Sequence, residues 1–159
     1  MTSPPSDLER LLSLWLRTEL LVRSCGRTVD LDVVPPGEWP RPIAGLRSPI
    51  TLVTGWNPGG REAPPAANRA ANRGLRRTLA VRGRAWRPAL GRARDGSWAE
   101  PGFAVGGLDE AEAAGLGREW GQLAVYVVSE REVVVLASDG SFRVSRPRGD
   151  IPRGHAPGS

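Results

Sequence analysis

The chain has 159 residues, 22 basic and 17 acidic side chains, a net charge of +5 and one cysteine. That length supports a single domain with its own core, and the lone Cys25 excludes an internal disulfide. No apolar run approaches the roughly 20 residues of a membrane span, and Asp7 and Glu9 precede the apolar stretch 11–16 with no small-residue cleavage site after it, so the chain reads as cytoplasmic with no membrane partner.

Taken in chain order, Ser6-Asp7-Leu8-Glu9 has the form of a capping box and predicts a helix over residues 7–16. Residues 18–23 and 27–33 flank a Ser24-Cys25-Gly26 turn, and the second run alternates apolar with polar, which predicts a β-hairpin. One helix over 7–23 is the competing reading, because Leu, Glu and Arg favour helix. Prolines at 35, 36, 40, 42 and 49 predict a loop without regular hydrogen bonding. Residues 50–55 form an apolar strand closed by Asn57-Pro58-Gly59-Gly60, and 68–81 a helix with Gly83 just past its end. Strands are expected at 86–90 and 100–105 around an Asp95-Gly96 turn, and a helix capped by Asp109 ends near Gly121. A last hairpin pairs 123–128 with 132–136, with Phe142 and Val144 as an extension. The expected organisation is one α+β domain over 1–145, a mixed or antiparallel sheet with two to three helices packed on it, and a disordered Pro/Gly/Arg tail over 146–159.

Within this frame a spaced series of polar and aromatic residues exceeds what a small core needs: Trp56 and Asn57, Asn68 and Asn72, Trp98 and Glu100, and Gln122. Amides and a carboxylate where elements meet can wall a ligand, and each requires a partner if buried. Asn68 and Asn72 share the stripe of Leu75 and Leu79 on the helical wheel, at the start of a helix beside the Ile50 strand, where free N–H groups favour an anion. The alternative is that Asn68 caps the helix and Asn72 ties loop backbone. Trp56 is either a stacking surface or core. Glu100 is the only carboxylate in an aromatic and apolar stretch. Burial would raise its pKa and fit it as a general acid or base, whereas a salt bridge to Arg87 or Arg92 would make it structural. Gln122 can grip a ligand or tie off a loop.

All 22 basic residues are Arg, a bias that GC-rich coding produces by itself, but their placement is uneven. Nine lie between Ala63 and Arg94 with no acidic residue among them. Arg69, Arg73, Arg76 and Arg77 spread over the solvent side of the second helix, where they could contact phosphates, joined by Arg82, Arg84 and Arg87. The only histidine, His155, falls in the expected tail, which leaves Ser-His-Asp, Cys-His and His-ligated metal sites without their histidine; no metal and no cofactor are expected. Asn57-Pro58-Gly59-Gly60 lacks the spacing of a phosphate loop.

In order, Thr54-Gly55-Trp56-Asn57-Pro58, Asn68, Asn72, Gly83, Pro88, Gly91, Trp98-Ala99-Glu100, Phe103 and Gly121-Gln122-Leu123-Ala124 resemble the bacterial family known as domain of unknown function 3293, over about residues 15–136. Gly55 stands where that pattern has Ala. The resemblance implies a single α+β domain opening with paired strands, and implies that the Asn, Glu and Gln positions belong together; it implies no activity. The expected function is therefore the holding of a small polar or anionic molecule, nucleotide-like, by Trp56, Asn57, Asn68, Asn72, Trp98 and Gln122. If there is catalysis, Glu100 acts in a metal-free hydrolysis or group transfer. The alternative is a nucleic-acid-binding or regulatory module on the Arg face. Nothing in the sequence sets the oligomeric state.

Overall fold

The computed structural model describes residues 6–151. Helix α1 (Asp7–Leu16) starts at the expected capping box, with Ser6 Oγ accepting from the Glu9 N–H and the Glu9 carboxylate accepting from the Ser6 N–H. No residue of α1 is fully buried, so the helix lies on the domain as a lid rather than inside it. The chain then turns into the hairpin β1 (Glu19–Ser24) and β2 (Arg27–Asp30), not into a longer helix. Its turn places the exposed Cys25 at φ 51° and Gly26 at φ 75°, the paired left-handed residues whose twist matches a two-residue hairpin.

The remaining elements are β3 (Ile50–Val53), α2 (Pro65–Val81), β4 (Trp86–Arg92), β5 (Ala99–Gly106), α3 (Glu110–Glu119), β6 (Ala124–Val128), β7 (Glu132–Ala137) and β8 (Arg143–Pro147). The eight strands form one curled sheet in the order β2-β1-β4-β5-β3-β6-β7-β8, and every pair is antiparallel. This is the expected α+β domain, in its antiparallel form. β3 is buried along its whole length because it joins the two halves, with β5 on one side and β6 on the other.

Alternation along the strands divides the apolar residues into two cores. Inside the curl, Leu20, Val22, Ile50, Leu52, Ala104, Val128 and Val133 meet, and Ile43 and Leu46 from the Pro-rich loop pack onto them. On the outer face, Val53, Phe103, Val105, Val125, Val127 and Val134 receive Leu75 and Leu79 of α2 and Ala113 and Leu116 of α3. Fully burying each large aliphatic side chain contributes about 1.5–3 kcal/mol, so both faces of the sheet carry stability.

The two edges of the curled sheet are tied by side chains rather than by a ladder. Arg146 on β8 is 6% exposed. It makes a two-pronged ion pair with Asp32, just past β2, at 2.6 and 2.8 Å, and its Nε donates to the Leu16 carbonyl at the end of α1. The Gly149 N–H also donates to Asp32, while Arg148 donates to the carbonyls of Leu31 and Val34 and lies over the Trp39 ring. The expected domain boundary at residue 145 therefore moves: β8 continues to Pro147, and the contacts of Arg146 and Arg148 hold the segment to Gly149. The rest of the expected tail, residues 152–159 with His155, lies outside the described residues.

Two further expectations change. Helix α2 begins at Pro65 rather than Asn68, because a proline at the first helical position has its φ preset and lacks an N–H the helix could not use. Asn68 is thus inside the first turns and does not cap the helix. The Pro-rich loop is irregular as expected except for a single 3-10 turn at Pro36–Glu38. Among the described residues no helix is long and apolar enough to cross a membrane.

Candidate functional site

A cavity of about 230 Å³ opens at one end of the curl, between the inner face of the sheet and α1. Strand register explains its depth. Leu20 pairs with Gly91, Gly91 with Glu100, Ala89 with Gly102, and Leu52 with Tyr126, so small residues alternate with larger ones across the inward face. Gly91 and Gly102 leave room where a side chain would fill it. At Gly102 a Cβ would also collide with the Val53 carbonyl oxygen, so the glycine is required for β5 to pass β3. Leu11, Leu14 and Trp15 of α1 form the opposite wall, and Trp15 is held by stacking on Phe142, with centroids 5.8 Å apart. Exposed Gly60 and Leu123 lie at the rim.

Of the residues singled out in the sequence, Asn57, Trp98, Glu100 and Gln122 line this cavity. Asn68, Asn72 and Trp56 do not; they form the layer behind it. Asn72 Oδ1 accepts from the Gly55 N–H at 2.8 Å, and its Nδ2 donates to the Pro101 carbonyl at 2.9 Å, which joins the end of β3 to the start of β5. Asn68, 2% exposed, accepts from the Asn57 N–H at 2.8 Å and donates to Asn57 Oδ1 at 2.9 Å and the Ala63 carbonyl at 3.2 Å. These bonds hold Asn57 at φ 48°, a left-handed conformation that Asn tolerates better than most residues. Gln122 reaches back to the carbonyls of Trp56 and Trp120 at 3.2 and 3.3 Å. The two helical amides are therefore used up in bonds to loop backbone and to the Asn57 side chain, and what they position is the side chain of Asn57.

Glu100 has neither of the arginine partners expected for a structural ion pair. Arg92 is bonded to Glu19 at 2.7 Å, and Arg87 donates to the Trp86 carbonyl. Among the described residues the one bond to the Glu100 carboxyl comes from Asn57 Nδ2, at 3.4 Å. Burial raises the pKa of Glu100 above the ordinary Glu value, and the Asn57 contact only partly opposes that. Since the folded pKa is the higher one, the contribution of Glu100 to stability is fully present below the unfolded value and is lost as pH rises through the folded one. Glu100→Gln should thus stabilise the domain at neutral pH and make no difference near pH 4. Urea unfolding of both forms across pH tests this, and a pH-independent difference would refute it.

No local feature of the sequence points to the α1 wall, since Leu11, Leu14 and Trp15 read as an ordinary amphipathic stripe. For Tyr126 the one available signal is the lone tyrosine in Ala124–Val128, whose hydroxyl needs a partner if buried. Burial pushes the Tyr126 phenol well above its usual range, opposed in part by Thr18, so it stays protonated at neutral pH. The indole N–H of Trp98 is buried with no partner among the described residues. The arginine face is smaller than the sequence implied. Arg82 pairs with Glu119 and Arg84 with Glu112 on α3, whereas Arg69, Arg73, Arg76 and Arg77 are exposed and make no ion pair among the described residues.

Comparison with known proteins gives one result. No curated protein and no solved structure matches the chain. The family model described as "Protein of unknown function (DUF3293)" matches residues 53–125, a shorter stretch than the 15–136 expected. It takes in Asn57, Asn68, Asn72, Trp98, Glu100 and Gln122 but leaves α1 and the β1–β2 hairpin outside. The match supports assigning residues 53–125, a little under half of the chain, to the DUF3293 family.

Proposed function

We propose that the domain holds a small organic molecule in the cavity under α1, with an apolar body against Leu20, Leu52 and Trp15 and a polar end toward Asn57, Glu100 and Gln122. The observation that carries this reading is the cavity's composition: an apolar wall with a few convergent polar groups and one half-buried carboxyl of raised pKa. Of the polar and anionic ligands raised by the sequence, it favours the polar one, because no arginine among the described residues lines the cavity. Glu100 has the position and protonation behaviour of an acid or base should the ligand be a substrate, with Tyr126 as a hydroxyl donor beside it.

The test is a thermal-shift screen of small aromatic and aliphatic compounds at low and physiological salt, repeated with Gly91→Val. A Cβ at Gly91 meets only Thr18 Cγ2, at 3.5 Å, so valine should fill the cavity with little strain. The expected result is a salt-resistant rise in melting temperature that disappears in Gly91→Val. Stabilisation that survives Gly91→Val would place the ligand elsewhere.

The exposed, unpaired Arg69, Arg73, Arg76 and Arg77 support a second reading, in which α2 contacts a nucleic-acid backbone. Binding of that kind should weaken steeply with salt and be abolished by Arg73→Glu with Arg77→Glu, leaving the cavity's ligand response unchanged.

A further inference from the structure

Building on the cavity reading above, we infer that the ligand is an organic cation, an amine in its ammonium form, with its charge against Glu100 and its substituents against Trp15, Trp98 and Tyr126. Three observations converge on this. First, Glu100 is the only charged residue in the lining among the described residues, although the chain contains 22 arginines. Second, several carboxylates elsewhere have an arginine partner, namely Asp32 with Arg146, Glu19 with Arg92, Glu110 and Glu132 with Arg143, Glu112 with Arg84 and Glu119 with Arg82, whereas Glu100, like half-buried Asp30, has none among the described residues. Glu100 has only a 3.4 Å contact to an amide, so most of its acceptor capacity is unused. A partly buried carboxylate without a cation is a costly arrangement, and a ligand ammonium group supplies the missing partner. Third, the wall is aromatic. Trp15, Trp98 and Tyr126 line it, out of six Trp and one Tyr in the chain, and aromatic faces attract cations that have left water. A ligand carboxylate or phosphate would meet Glu100 with no cation between them.

Three probes of matched shape separate the possibilities: 2-phenylethylammonium, 2-phenylethanol and phenylacetate, titrated calorimetrically into the full chain, Glu100→Gln, Trp98→Leu and Gly91→Val at neutral pH. The expected result is that the ammonium compound binds about tenfold more tightly than the alcohol, with no binding of phenylacetate. Glu100→Gln should remove most of the ammonium compound's advantage over the alcohol, and Trp98→Leu should weaken the ammonium compound more than the alcohol. Gly91→Val should remove both. Equal binding of ammonium and alcohol to the unaltered chain, or preference for phenylacetate, with loss in Gly91→Val, would overturn the cation while leaving the cavity reading intact. Binding of none of the three, or binding indifferent to Gly91→Val, would overturn both. Circular dichroism of each variant separates loss of binding from loss of fold.

Discussion

Arg146→Ala is expected to destabilise the domain by about 3–5 kcal/mol, the usual cost of removing one partner from a buried ion pair. The Asp32 side chain is only 4% exposed, and without the guanidinium it would be a buried carboxylate left, among the described residues, with a backbone N–H from Gly149. The same change frees the Leu16 carbonyl, so α1 loses its anchor together with the sheet edges. Domain stabilities are about 5–15 kcal/mol, so the variant should be close to unfolding at physiological temperature. Equilibrium denaturation measures the loss, and a cost below about 1 kcal/mol would show that the pair is in effect solvated. Arg146→Met combined with Asp32→Leu should recover most of the stability, because removing both charges removes the unpaired one.

Asn68→Ala should be the next most damaging change, at about 2–4 kcal/mol, since a buried group left without its hydrogen bond costs about 1–3 kcal/mol. Three bonds disappear at once, and the Asn57 N–H and the Ala63 carbonyl lose their partners behind the cavity wall. Asn57 would then be free to leave its left-handed conformation, and its side chain would no longer be aimed at Glu100. Denaturation should show the stability loss. Asn68→Asp, which keeps the acceptor for Asn57 N–H but not the donor, should fall between. Gln122→Ala, whose amide bonds are longer and less buried, should cost about 1 kcal/mol or less. Equal effects at Asn68 and Gln122 would contradict the division into a supporting layer and a lining layer.

That division marks the limit of what was legible in the sequence. Local signals sufficed where the determinants are local: the Ser6 and Glu9 capping box, the Asp109 cap, the alternation of Arg27–Asp30 and the Cys25-Gly26 turn all specify elements within a few residues. The start of α2 was misplaced because Pro64-Pro65 reads as loop unless the second proline is taken as the first helical residue. The helical amides could be placed on the inner stripe, but periodicity does not reveal whether an amide faces a ligand or a loop. Arg146 reads as tail because Arg-Pro-Arg-Gly has no apolar pattern. Its partner lies 114 residues away, and no local rule connects them. The α1 wall was missed for the same reason, since half-buried leucines look alike over a core and over a cavity.

The separation between Asp32 and Arg146 also bears on how the domain forms. The β1–β2, β4–β5 and β6–β7 hairpins can assemble early from neighbouring residues, but β3 must then join two halves of the chain, and β1 must find β4 across residues such as Glu19 and Arg92. Such long-range pairings slow folding, and the two sheet edges can meet only after all of them are in place. A contact made after the rate-limiting step does not hasten assembly; it slows disassembly. The arginine at the end of the last strand is therefore a latch, and its contribution is to the lifetime of the folded chain.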